Sequence, residues 1–220
     1  MKFEVGGMTF TLHSRGDMVV RVAGTSEGRF EWELSVAWAK IASQARCMVD
    51  VGAYTGYYSI MAAKVNPSCR VLAFEPNPSV FGRLLCNIGS NAVKVETYNL
   101  ALSNKSGPSE LFMPSGTLLT SAGRFAEYCR DDRTYVSARI VTLPLDSFRL
   151  PHVDAMKIDT EGSEPAVIEG ARNTIARSLP TIFAECLNEE ALLKVRACLG
   201  VIANYEPEKL DGRNYAFKIA

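Results

Sequence analysis

The chain lacks most of the signatures from which an activity is usually read. Its six cysteines, at Cys47, Cys69, Cys86, Cys129, Cys186 and Cys198, include no C-x-x-C pair, which argues against a zinc site and a disulfide framework and for a reducing, intracellular setting. No G-x-G-x-x-G opens a helix to a pyrophosphate, and no G-x-x-x-x-G-K-[ST] cradles a triphosphate. The 24 Lys and Arg balance 24 Asp and Glu, so no whole-molecule field favours nucleic acid or an anionic membrane, and a polyanionic substrate is not expected. No apolar run reaches the ~20 residues needed to span a bilayer, and the first residues lack the basic-then-apolar order of a secretory leader. A cytoplasmic protein without nucleic-acid or membrane partners is therefore expected. Histidine is limited to His13 and His152; His152 follows Pro151 at the start of a strand, away from any site, and neither is expected to be catalytic. At 220 residues the chain suits one well-buried α/β domain.

What is present is concentrated in residues 47–60. An apolar strand breaks at Asp50, turns through Gly52 and Gly56, and enters a helix. Glycine admits positive φ and close approach of backbone to a ligand, and ligands of open α/β sheets sit outside the carboxyl ends of the strands. An acid at that edge repels phosphate and accepts a hydrogen bond from an ammonium group. The next apolar run, residues 70–76, ends in Glu75, about 20 residues past the loop, where a second parallel strand places an acid on a ribose diol. A cofactor with a cationic amino-acid end and no phosphate fits, and S-adenosylmethionine is such a molecule.

The rest of the chain supplies the frame. Residues 3–22 alternate around Gly6-Gly7 and Arg15-Gly16-Asp17, predicting a short hairpin or small accessory sheet within an N-terminal element spanning 1–30. Residues 31–43 predict a helix, with Trp32 and Trp38 read as core. Pro78 suits the first turn of a helix over residues 80–85. Residues 93–101 suit a third strand whose end faces the adenine. Residues 104–140, interrupted by Gly107, Pro108, Pro114, Gly116 and Gly123 and rich in Ser115, Thr117, Thr120 and Ser121, are expected to be a lid or substrate-binding insert. Their Arg124, Arg130, Arg133 and Arg139 are largely cancelled by Glu127, Asp131 and Asp132, which suits a solvated surface. Residues 153–162 form a fourth strand ending in Asp159, Glu161 and Gly162, with Ser163 as cap and Pro165 in the first turn of a helix through residues 168–176. A fifth strand over 180–186 ends at Glu185, a helix covers 189–199, and residues 201–205 and 215–219 flank the turn signal Asp211-Gly212. The core is thus 31–103 with 141–220, closing as an antiparallel hairpin.

Together, Asp50-Val-Gly-Ala-Tyr-Thr-Gly-Tyr-Tyr-Ser, Phe74-Glu-Pro-Asn-Pro, Ala101-Leu-Ser, Leu145-Asp146 and Lys157-Ile-Asp-Thr-Glu-Gly-Ser-Glu resemble the FkbM-type methyltransferases. The resemblance covers roughly residues 47–186. It implies an α/β, Rossmann-like class I methyltransferase fold; with the two termini read from pattern as above, the expectation is a mostly parallel seven-stranded sheet with a C-terminal antiparallel hairpin, plus a small N-terminal β element. It implies S-adenosylmethionine as cofactor, S-adenosylhomocysteine as product, and methylation of a hydroxyl oxygen on a sugar or natural-product small molecule. Asp50, Gly52 and Gly56 would hold the methionine end, Glu75 the ribose, and Ala101 the adenine edge. Ala53, Tyr54, Tyr57, Pro76, Asn77 and Leu100 complete the expected cofactor-binding set, with Asp159 shared between cofactor and reaction. Tyr54 stands where the family usually has Asn, and Asn104 where Asp is common.

Transfer to an alcohol requires that a proton be removed, so a base within hydrogen-bond reach of the acceptor is the group to seek. Asp159, Glu161 and Glu185 are the catalytic candidates, with Glu161 or Asp159 as the base. The same carboxylates could instead bind the cofactor's amino group, brace the loop, or hold a magnesium ion. A non-catalytic binding protein and a nucleotide-dependent oxidoreductase on the same sheet are the rival readings. A homo-oligomer is compatible with the sequence, and the acceptor's identity is not written in it.

Overall fold

The computed structural model describes residues 1–13, 16–115 and 135–220. Strands β1 (Lys2–Val5) and β2 (Met8–Thr11) pair antiparallel across Gly6-Gly7, whose φ values of 59° and 77° are those of a tight hairpin turn. The inward Phe3 and Phe10 stack 5.4 Å apart and both meet the Tyr57 ring edge-on. The expected continuation of this β element to residue 22 is not found: helix α1 (Met18–Thr25) follows, capped by Asp17, whose carboxylate accepts from the Val20 N–H. Met18, Val19 and Val20 are consecutive rather than alternating, and burial of Val19, Val20 and Ala23 follows the helical period.

Helix α2 (Trp32–Ala42) matches its expected span. Its tryptophans divide: Trp38 is fully buried and donates to the Tyr58 carbonyl, whereas Trp32 is 39% exposed under the Arg29 guanidinium. The chain then lays down β3 (Cys47–Val51), α3 (Tyr57–Val65), β4 (Arg70–Phe74), α4 (Pro78–Asn91) and β5 (Glu96–Tyr98). Every residue of β3 is buried, as a central strand covered on both faces must be. Asp154 accepts from the Arg46 and Cys47 N–H groups and contacts His152 at 2.8 Å. That triad pins the amino end of the sheet, opposite the site.

The third expected strand is broken in two. After β5, residues Ala101–Leu102 (β6) leave the main sheet and pair with β8 (Tyr135–Leu143), which pairs antiparallel with β7 (Gly107–Pro114). The flanks of the presumed irregular insert are therefore a long hairpin. Pro108 is tolerated because β7 is an edge strand of the order β6-β8-β7, and Arg139 lies opposite Glu110. Gly116, Thr117, Thr120, Ser121, Gly123, Arg124, Glu127, Cys129, Arg130, Asp131, Asp132 and Arg133 lie outside the described residues.

The sheet is completed by β9 (Ala155–Ile158), β10 (Thr181–Glu185), β11 (Tyr205–Lys209) and β12 (Asn214–Ile219), with α5 (Glu164–Gly170), α6 (Arg172–Ser178) and α7 (Glu189–Gly200) between them. Its order is β11-β12-β10-β9-β3-β4-β5, and β12 runs antiparallel to both neighbours. This is the expected seven-stranded sheet with one reversed strand. The single helix expected over 168–176 is two, because Asp146 accepts from the N–H groups of Asn173 and Thr174 and starts α6 anew. Ser163 does not cap α5 with its side chain; Glu164 binds back to the N–H groups of Thr160 and Gly162 instead.

Gly52 is fixed by packing. Its φ is 77°, and a Cβ there would lie 1.8 Å from the Asp159 carbonyl oxygen. Gly52→Ala is expected to destabilise the protein by roughly 3 kcal/mol or more, read as a lower midpoint in urea unfolding; a change within error would show that the β3–β9 contact is looser than described.

Candidate active site

A cavity of about 390 Å³ opens at the carboxyl ends of β3, β4, β9 and β10, lined among others by Gly52, Ala53, Tyr54, Tyr57, Glu75, Pro76, Asn77, Leu100, Ala101, Asp159, Glu161 and Glu185. Its size is in the range that takes a cofactor-sized ligand. Most of the residues singled out from sequence are thus brought to one pocket. Asp50 and Gly56 are not among its lining.

Asp50 is 1% exposed behind the loop; Ser59 donates to one of its oxygens at 2.6 Å, while Oδ1 has no hydrogen-bond partner among the described residues. Burial raises its pKa, against the opposing pull of Lys157. It lies beneath the pocket rather than in its lining. Gly56 serves the start of α3: a Cβ there would meet Leu84 Cδ1 at 2.5 Å.

Glu75 reaches the pocket from the end of β4. One oxygen accepts from the Tyr54 N–H at 3.0 Å and the other from the Asn77 N–H at 2.8 Å, so each keeps a lone pair for a diol. Burial lifts its pKa to about 8, the two backbone hydrogen bonds notwithstanding. Asn99 donates to the carbonyls of Glu75 and Pro76 and fixes this corner against the exit of β5. Asn77 caps α4 by accepting from the Ser79 N–H.

The floor holds a residue that sequence reasoning did not single out. Lys157, 4% exposed, lies in register with Asp50 on β3, bonds Asp159 Oδ2 at 2.8 Å and sits 4.8 Å from the Tyr58 ring centre. Burial acts to lower its pKa, but Asp159, Glu31 and Asp50 outweigh it and hold it above the ordinary value. The surrounding carboxyl groups thus favour its charged form. The available signal was a lone charge inside the buried strand β9.

Glu31, which also lines the cavity, accepts from the Tyr58 hydroxyl at 2.7 Å, and burial raises its pKa. Glu185 is lifted to about 8 by burial and then by Asp159 and Glu161, against Arg213, whose Nη1 is 3.9 Å away. Met18, Val19 and Val22 of α1 and Phe30 form an apolar side of the pocket, and α1 is tied to the loop because the Met18 N–H donates to the Tyr54 hydroxyl. Asn104 donates to Glu169. Ser163 is buried in the lining with its Oγ unpartnered among the described residues.

Three of the cavity-lining non-glycine residues, Glu31, Tyr54 and Glu161, have positive φ of 41°, 48° and 57°. Such strain collects at functional sites. Asp159, Glu161 and Glu185 share the pocket, but among the described residues no group of three or more His, Cys, Asp or Glu side chains is arranged to hold a metal ion. The magnesium reading therefore has no ligand set here.

The family model for the methyltransferase FkbM domain matches residues 50–206. The chain belongs to that family. An FkbM methyltransferase from Methylobacillus flagellatus is 18% identical with a TM-score of 0.55, over 79% of this chain and 43% of that one. An O-methyltransferase from Bacillus cereus, in complex with S-adenosylhomocysteine, is 15% identical with a TM-score of 0.51, over 94% of this chain and 90% of that one. A 57-residue stretch is 40% identical to the AMB antimetabolite synthetase AmbE of Pseudomonas aeruginosa, covering 26% of this chain and 3% of that protein. The chain thus spans less than half the length of the Methylobacillus methyltransferase and a small fraction of AmbE. The shared architecture is that of class I methyltransferases, as expected, and among the described residues no helix is long and apolar enough to cross a membrane.

Glu75 also gives a stability signature. Its pKa in the folded protein, about 8, exceeds the ordinary 4.5, so its contribution is full below the unfolded value and is lost as pH rises through about 8. The ligand-free Tm should fall between about pH 5 and about pH 9, and the slope should shrink in Glu75→Gln; a wild-type Tm that rises across this window contradicts the assignment.

Proposed function

We propose that this protein transfers a methyl group from S-adenosylmethionine to a hydroxyl oxygen of a small molecule, of the sugar or natural-product class. The observation that carries the reading is the make-up of the cavity: carboxyl groups from four separate chain segments, Glu31, Glu75, Asp159 with Glu161, and Glu185, line it together with Lys157. Such a pocket favours a cationic, phosphate-free ligand. The residues present also fit the group in detail. Glu75 keeps free acceptor capacity for a ribose diol, the unpartnered Ser163 Oγ offers a further polar contact, and Pro76, Leu100 and Ala101 provide a surface for the base.

The cofactor supplies an activated methyl group on a sulfonium centre. Asp159 would hold the ammonium of the amino-acid end, assisted by the backbone at Gly52. Asp50 lies too deep for that contact. Met18, Val19, Val22 and Phe30 exclude water from the reacting centre, where orientation in a dry site supplies most of the acceleration. Asp159 is engaged by Lys157, which weakens its claim to be the base. Glu185 fits better: at the end of β10, with a pKa near 8, it is poised to take the acceptor's proton near the operating pH. Glu161 shares its rim, and its charge helps to hold the Glu185 pKa up.

Glu185→Gln is expected to lower kcat by about 10²-fold or more while leaving the Kd for S-adenosylhomocysteine within about twofold, and the wild-type kcat should rise with pH through about 8. Full turnover in Glu185→Gln would remove the base role. Tight S-adenosylhomocysteine binding without methyl transfer to any of a panel of hydroxylated sugars and natural products would favour a non-catalytic binding protein.

A further inference from the structure

Lys157 is more than a counter-ion to one neighbour. On its own strand it bonds Asp159 at 2.8 Å. From β3 it faces Asp50, from β10 Glu185, from α3 the Tyr58 ring, and from the chain just before α2 it faces Glu31, which is itself bonded to Tyr58 and turned toward Asn214 of β12. Glu31 sits in a left-handed backbone conformation at the N-cap of α2 without capping it through its side chain. Its carbonyl accepts from the Ser35 N–H at the start of the helix, while its side chain accepts from Tyr58 in the floor. Residue 31 lies ahead of the family-matched residues 50–206, as do Met18, Val19, Val22 and Phe30 of the lining.

We propose that Lys157 is the positioning residue of the cofactor site: its ammonium fixes Asp159 and binds Glu31 into the pocket floor, so that the charge receiving the cofactor's cationic end is completed by the N-terminal segment. The physical reason is compensation. Without the ammonium, buried Glu31, Asp50 and Glu185 would face one another across a poorly solvated floor and would take up protons more readily. Asp159 would also lose the bond that holds its carboxylate in one orientation.

The inference rests on the cofactor reading above and goes beyond it in assigning how the site is held. It is tested by calorimetric titration of S-adenosylhomocysteine into the full chain across pH. Lys157→Met is expected to weaken binding about tenfold or more near neutral pH, and to move the loss of affinity on acidification to a higher pH, because the uncompensated carboxylates protonate earlier. Lys157→Arg, which keeps the charge, should recover most of the affinity. Glu31→Gln preserves a hydrogen bond with Tyr58 but removes a charge, and should weaken binding in the wild type yet add little in the Lys157→Met background.

A folded Lys157→Met with wild-type affinity and pH profile overturns the proposal. If Lys157→Met does not fold, Glu31→Gln decides: unchanged affinity and pH profile overturn the proposal, and weakened binding supports it. Absence of S-adenosylhomocysteine binding by the wild-type chain would instead remove the cofactor reading itself.

Discussion

One buried ammonium among carboxylates, at the carboxyl edge of a parallel sheet, is the interaction on which the site depends. Lys157 lies in the fully buried strand β9 among apolar residues, and removing a charge from water costs several kcal/mol unless partners offset it. The partners are Asp159 beside it, Asp50 in register on β3 and Glu31 from the N-terminal segment. A purely structural strand would have no use for this expense. Carboxyl groups outnumber the ammonium in the lining, and the proposal of a cationic, phosphate-free ligand is built on that.

The loop geometry follows from the packing around this floor. Gly52 has no room for a Cβ because the Asp159 carbonyl crosses it, and Gly56 has none because Leu84 lies over it. These glycines let β3, β9 and α4 close together, and Tyr54 and Tyr57 from the loop and helix that follow β3 line the cavity. Tyr54 takes a positive φ that Asn adopts more easily. Its hydroxyl then receives the Met18 N–H, which holds α1 against the loop between β3 and α3.

Much of this was legible in the sequence because it is local. The strand, acid, glycine order of residues 47–60, the spacing to Glu75, and the acids at the ends of the fourth and fifth strands each follow from one element and its neighbour. The seven-stranded sheet with its reversed strand was legible for the same reason. Helix α1 was missed because alternation was read into Met18, Val19 and Val20, which an Asp17 cap turns into a helix. The hairpin β7–β8 was missed because prolines and glycines mark an edge strand as readily as a loop. The position of Asp50 and the role of Lys157 depend on which way side chains face across strands far apart in sequence, and spacing along the chain does not carry that information.

The central claim is that this pocket is built for a cationic, phosphate-free adenosyl ligand. Isothermal titration of the full chain with sinefungin, in which an amine replaces the sulfonium methyl, and with NAD tests it most directly. The account predicts saturable one-to-one binding of sinefungin and no measurable heat from NAD. Tight NAD binding with none of sinefungin would contradict it.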